Sequence, residues 1–370
     1  MINDRMIEQD LDIFFNRIIA KNNDVHQLKC CLIPECKYKQ KDIIKAHTIQ
    51  KKGGIIDISK DGHVYSFALS AGAAKEFLQI HKKMLNPNNG YWPEPVKIGI
   101  NRASTINCFC GRHDKEIFSP LEDDIFSGSI EQLKLLTFRS VAYELYQKKI
   151  NSSDKGMLPF KICIDELKKD DNKIGEQIFS EMSSIFQMGS DLGKNNLEDL
   201  FLELYNDKID IDYICFVSEK PVDIVCSFAT DINLKINSEQ MIEQCLRKEV
   251  EMLVVSSFVR DGKGYVLLSW KKNNNAVKEF VQKILLWNDI PNILAKMFFL
   301  FGENTFFSID WYDRLSIMNK VYVMKNVGSL YPPPETLFNE PIKKIVNWKL
   351  SVFKESTSFI LSTQPQFRHP

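Results

Sequence analysis

Residues 30–36 read CCLIPEC and residues 107–114 read NCFCGRHD, and these two stretches decide how the N-terminal part of the chain folds. Cys31 and Cys36 stand on either side of Pro34, and Cys110 and His113 are separated by two residues where a helical pattern begins. Zn2+ takes four nitrogen or sulfur donors at the corners of a tetrahedron, and two short-spaced ligand pairs supply them without strain. The pairs therefore predict a structural Zn2+ site of Cys31, Cys36, Cys110 and His113, with Cys30 and Cys108 as adjacent alternates. The competing reading is of ordinary buried thiols, because free cysteine packs as a small hydrophobe. Four protein ligands leave no open coordination position, so such a site contributes folding energy rather than chemistry.

Outward from these stretches, five of the nine cysteines and five of the six histidines lie at or before residue 113, which marks off an N-terminal module. An odd number of cysteines without regular spacing argues for reduced thiols and metal ligands, not a disulfide framework. The 370 residues fit two domains with a connecting segment. The 48 basic and 48 acidic side chains cancel, so no chain-wide field draws the protein to nucleic acid or membrane. With no apolar run of bilayer length and an acidic, polar start, a cytoplasmic protein with no membrane partner is expected.

The pattern predicts an opening helix carrying Leu11, Phe14 and Ile18. Strands follow over IIKAHTI, HVYSFAL and VKIGI, with helices over SAGAAKEFLQIHKKML and EQLKLLTFRSVAYELYQKK. NPNNGYWPEP reads as a loop, and NSSDKGMLP, with its breakers and small polar residues, as a domain boundary. The predicted division is a zinc-binding domain over 1–150, a helical connector over 151–205 and a second domain over 206–370. In the second domain DYICFVS, DIVCSFAT, EMLVVSSFV and GYVLLSW read as strands of a mainly antiparallel sheet, the last two joined by an Asp261-Gly262 hairpin turn. Helices are expected over AVKEFVQKILLW, IPNILAKMFFLFGENTFFSIDWYDRL and IKKIVNWKLSVF, which makes the fold class α+β. Phe298, Phe299, Phe301, Phe306 and Phe307 are read as core, in preference to a paired-carboxylate site at Glu303, Asp310 and Asp313.

Over about residues 28–120 the chain resembles the HNH endonucleases, whose ββα-metal fold is built on a treble-clef zinc site. The residues that carry the likeness are the Cys pair, the strand ending Ala46-His47-Thr48-Ile49, and the Cys-x-x-His knuckle entering a helix. The resemblance implies that His47 acts as general base on water against a phosphodiester, a role suited to a group that titrates near neutrality. It also implies that Asp114 ligates a divalent ion, Mg2+ or Mn2+, which neutralises developing charge. His63 is a further catalytic candidate, set against a simple strand-and-turn role.

Residues 21–60 hold nine lysines against four acidic residues. Lys39, Lys41, Lys45, Lys51 and Lys52 are therefore the candidates for a nucleic-acid surface beside His47, the alternative being a solvated lysine-rich face. The resulting expectation is a metal-dependent HNH-like nuclease, in antiphage defence by analogy, with a C-terminal domain that senses a protein partner or phage trigger. The alternative is a non-catalytic zinc module that binds nucleic acid or protein, a reading favoured by Ala46 at a position where many family members carry a metal ligand.

Overall fold

The structure is a computed structural model that describes residues 28–38, 40–67, 94–169, 173–232, 251–327, 334–339 and 342–356. The predicted opening helix, the helix over SAGAAKEFLQIHKKML, most of the loop NPNNGYWPEP, and Lys39 lie outside the described residues. The fold mixes helix and strand with antiparallel sheets, as the α+β reading expects. No helix among the described residues is long and apolar enough to cross a membrane.

The strands are β1 Ile43–His47, β2 His63–Ser66, β3 Val96–Gly99, β4 Thr105–Cys110, β5 Ile211–Ser218, β6 Ile224–Asp231, β7 Met252–Arg260, β8 Lys263–Lys271, β9 Thr305–Phe307 and β10 Ser351–Glu355. The main helices are α1 Gly111–Glu122, α2 Ile130–Asn151, α3 Asp154–Lys169, α4 Lys173–Tyr205, α5 Asn275–Leu285, α6 Ile290–Phe301, α7 Ile309–Arg314 and α8 Ile317–Val327. Among the described residues β1 and β4 pair alone, and the other strands form an eight-stranded sheet in the order β10-β5-β8-β7-β6-β9-β2-β3.

The centre of that sheet is the β7–β8 hairpin. Asp261 and Gly262 both take positive φ (51° and 75°), the backbone a two-residue turn of this hand needs, and Arg260 pairs with Lys263 across it. Seven consecutive residues are buried in each of these strands, because both faces are covered. On one face the sheet meets α1 and α2 through Leu121, Leu133, Leu136, Phe258, Tyr265 and Leu267. A seam of hydroxyls crosses the same face: Thr137 Oγ1 lies 2.8 Å from Ser269 Oγ, and Ser140 Oγ lies 2.8 Å from Ser227 Oγ and 3.0 Å from Ser256 Oγ. Small side chains let α2 approach the sheet, and each buried hydroxyl finds a partner. Phe228 projects to the opposite face, towards Gly302 at the end of α6.

Gly264 permits a close approach of a different kind. A Cβ there would lie 2.6 Å from Val222 Cγ1, 2.8 Å from Val222 N and 3.0 Å from the Lys220 carbonyl oxygen. Because backbone cannot yield as a flexible side chain does, Gly264→Ala is expected to destabilise the protein by about 1–3 kcal/mol. Urea unfolding would show this as a lower midpoint at unchanged slope, and an unchanged midpoint would refute the close contact.

The compact units differ from the predicted domains. One unit contains Met1–Leu28, Ala68–Tyr91 and Leu145–Asn195; the other contains Lys29–Phe67, Trp92–Glu144 and Asn196–Pro370. The Cys/His segments therefore share a unit with the large sheet, instead of forming a domain over 1–150. The reason is pairing: β2 joins β9 through Tyr65 and Phe307, which draws part of the segment between the ligand pairs into the C-terminal sheet. The NSSDKGMLP segment is a turn and the start of α3, with only Ser152 and Ser153 separating α2 from α3.

Two further expectations are corrected. GENTFF does not continue a helix: α6 stops at Phe301, and Thr305–Phe307 form β9 against β6. IKKIVNWKLSVF is not helical either. The backbone N–H groups of Ile345 and Val346 donate to Asn292 Oδ1 at 2.6 and 2.8 Å, and Asn292 Nδ2 donates to the Val346 carbonyl at 3.1 Å. Trp348 Nε1 donates to Asp223 at 3.0 Å, and the following residues become β10 on the open edge of β5. Tertiary partners thus take the backbone groups that a helix would have paired internally.

Candidate metal centre

The loop carrying Cys31 and Cys36 is tied to β4, with Cys30 N donating to the Asn107 carbonyl at 3.3 Å and Leu32 N to the Cys108 carbonyl at 2.9 Å. A tight turn follows, in which Glu35 takes φ 57° and Cys36 N donates to the Ile33 carbonyl. β4 ends at Cys110, which is also the N-cap residue of α1, so His113 falls in the first turn of that helix. Gly111, the first residue of α1, faces Ile44 of β1, where a Cβ would make an ordinary contact at 3.4 Å.

These elements bring Cys31, Cys36, Cys110 and His113 together with all four donor atoms within 4.8 Å of one another. Cys36 Sγ lies 3.9 Å from Cys110 Sγ, and His113 Nδ1 lies 3.3 Å from Cys31 Sγ and 3.4 Å from Cys110 Sγ. A tetrahedron with ordinary zinc bond lengths has edges of about 3.8 Å between sulfurs and about 3.6 Å between sulfur and nitrogen. The donor set fits a tetrahedral ion and could hold a metal such as zinc. Burial pushes the Cys31 thiol up to about 12, so the protein alone disfavours a thiolate there and a cation is what would make one stable. Cys30 and Cys108 are not in the donor group; Cys108 is fully buried, and burial holds its thiol well above the ordinary range. Comparison of the chain with protein-family models, curated proteins and solved structures finds no match.

His47 ends β1 opposite Thr105 of β4, and α1 follows β4 directly, so two antiparallel strands and a helix surround the cluster. The His47 ring is half-buried, with Nε2 lying 3.4 Å from the Ile100 carbonyl oxygen. That contact assigns the proton to Nε2 and leaves Nδ1 as the acceptor. Burial holds its pKa below the ordinary 6.5, opposed by the Ile100 contact and reinforced by the positive charges of Lys51 and Arg139. Asp114, in the first turn of α1, is half-buried, and burial raises its carboxyl, with Arg139 opposing and Glu122 adding to the shift.

His63 belongs to the large sheet and not to the β1–β4 pair. It is exposed, and its Nδ1 lies 2.8 Å from the Asp61 carbonyl oxygen, a turn-closing contact. Among the lysines, Lys41 and Lys45 are exposed, while Lys51 is half-buried and donates to Asn101. Lys52 lies in the helical turn Lys51–Ile55.

Sequence reasoning missed Arg139 of α2, which is 3 % exposed. Its Nη2 donates to Glu122 Oε1 at 2.6 Å, and its guanidinium lies 4.0 Å from the centre of the Phe118 ring. The available signal was a cation within TFRSVAYEL, where the neighbouring residues are apolar or small; it points to a buried charge but not to its partner. Asn304 was also missed as a link: its Nδ2 donates to Thr48 Oγ1 at 2.8 Å and to the Ser227 carbonyl at 3.0 Å.

Proposed function

We propose that the chain is a zinc-stabilised, HNH-like metal-dependent nuclease, in which the Cys31/Cys36/Cys110/His113 cluster is the structural zinc site and His47 the general base. The observation that carries this reading is the placement of His47. It ends the strand paired to β4, beside a helix whose first turn holds both a donor of the cluster and Asp114. A half-buried imidazole with a lowered pKa is neutral at neutral pH, and Nδ1 is free to take a proton from water. Asp114 would hold Mg2+ or Mn2+, and such an ion, when bound, neutralises charge on the phosphate. Among the described residues only the Cys/His group gathers three or more donors, so substrate phosphate and water would complete that ion's shell. Exposed Lys41 and Lys45 would track the nucleic-acid backbone.

The test is cleavage of plasmid DNA and of RNA with Mg2+ or Mn2+, comparing wild type with a zinc-loaded His47→Ala variant. Loss of a general base should slow cleavage by roughly 10²–10⁴-fold at unchanged zinc content. The pH profile has a definite sign. Because the pKa lies below 6.5, the base stays unprotonated at and above that value, and the rate falls only at lower pH. Equal cleavage by both proteins would remove His47 from the chemistry. Absence of cleavage by either, with every metal and with phage lysate as trigger, would leave the non-catalytic binding module, which the buried Ala46 before His47 favours.

A further inference from the structure

A small cavity of about 20 Å³ lies between α2, the face of β6 and β7, and the residues after His47. Its polar lining includes Thr48, Gln50, Arg139, Ser227, Ser256 and Arg260. We propose that this cavity binds a phosphate-type oxyanion, with Arg139 and Arg260 as the two cationic partners.

The first support is an unmet donor. Arg139 is almost wholly buried, its Nη2 is taken by Glu122, and its Nη1 has no hydrogen-bond partner among the described residues. A buried charged donor left unpaired costs more than a neutral one, which favours an acceptor in the cavity beside it. The second is charge. Two arginines line the cavity and no carboxylate does. Arg260 is held by neutral acceptors, Nη1 by Gln50 Oε1 and Nη2 by the Asp124 carbonyl, both at 2.9 Å. Its nearest acid, Asp261, is 4.0 Å from Nε and largely exposed.

The third is the shape of the site. The volume admits about one water-sized group. Thr48, Arg139, Ser227 and Ser256 are buried, whereas Gln50 and Arg260 are half-buried, so the cavity runs from a closed end to an open one. One phosphate oxygen would seat at Arg139, with the rest of the group at the Arg260 end, where the guanidinium matches phosphate geometry.

The inference does not depend on nuclease activity. It is tested on the metal-loaded full chain by thermal unfolding with inorganic phosphate, against chloride at equal ionic strength, in wild type and in Arg139→Gln, Arg260→Gln and His47→Ala. A saturable rise in the wild-type midpoint is expected. Arg260→Gln should weaken binding by about tenfold or more, the loss of a charge-assisted bond, and His47→Ala should leave it intact. Arg139→Gln should abolish it, and if that buried variant does not fold, the half-exposed Arg260→Gln decides. No phosphate-specific shift, or the same shift in wild type and Arg260→Gln, would mean that the cavity holds water only and would overturn the proposal. Competition by a 5′-phosphorylated dinucleotide, but not by its unphosphorylated form, would identify a nucleic-acid end as the source; phosphate binding without that competition would identify the free anion.

Discussion

Cys110→Ser is expected to abolish the metal binding proposed for the Cys/His cluster and to lower the stability of the protein by several kcal/mol. Cys110 occupies three roles at once: it is fully buried, it ends β4, and it is the N-cap residue of α1. Its sulfur is 3.9 Å from that of Cys36 and 3.4 Å from the His113 ring nitrogen, so its loss removes one corner of the tetrahedron and the three edges that meet there. Structural zinc contributes about 10–16 kcal/mol of binding free energy in isolated fingers, while a whole domain is stable by only about 5–15 kcal/mol. Here β4 also pairs with β1, and α1 packs its Leu121 into the main core, so part of the module persists and the expected loss is about 5 kcal/mol. The checks are metal content per chain, expected to fall from about one to zero, and the denaturant midpoint. Cys30→Ser is the control, because Cys30 stands outside the donor group and its replacement should leave the metal in place. Release of metal by Cys30→Ser, or its retention by Cys110→Ser, would refute the ligand assignment.

The Cys/His group was legible because its information is local. Two short spacings define two pairs, and only the meeting of the pairs depends on the fold. The β7–β8 hairpin was legible for the same reason, since Asp261-Gly262 between apolar runs specifies a two-residue turn without reference to anything distant. What could not be read is held by partners far along the chain. Ile342–Phe353 has helical spacing, but Asn292 takes the backbone of Ile345 and Val346, and the free edge of β5 takes Ser351–Glu355. β9 is three residues long, too short for periodicity to distinguish it from the helix before it. Arg139 shows the same limit at the site. Its sequence neighbours reveal a charge on a buried face, but not that Glu122 and the cavity meet it there.

Phe307→Ala will cost about 3–5 kcal/mol, the range for truncating a buried aromatic side chain. Phe307 is fully buried in β9, and its ring centre lies 5.2–6.0 Å from those of Tyr65, Phe67, Phe299, Trp311 and Tyr312, in tilted or edge-on arrangements. Such pairs add to the energy of burial, so the cavity left behind forfeits contacts on five sides. The position matters beyond its volume, because Phe307 pairs with Ile224 of β6 on one side and with Tyr65 of β2 on the other. It is the joint by which β2 and β3, from the segment between the two ligand pairs, attach to the C-terminal sheet. The loss should therefore be uneven: amide hydrogens of β2 and β3 should exchange much faster in Phe307→Ala, while those of the central β7–β8 hairpin follow only the global change. Ile317→Ala, at a side chain 80 % exposed, is the control and should change stability by less than about 0.5 kcal/mol. A loss at Phe307 below about 1 kcal/mol would show that the aromatic cluster relaxes around the gap, and uniform exchange across all strands would show that β9 is not the joint. Because the Cys/His cluster that could hold a metal and the strand bearing His47 belong to the same compact unit as this joint, the variant also separates fold from site: unchanged metal binding with a loosened β2 would mean that β1, β4 and α1 hold the centre without the strands beside it.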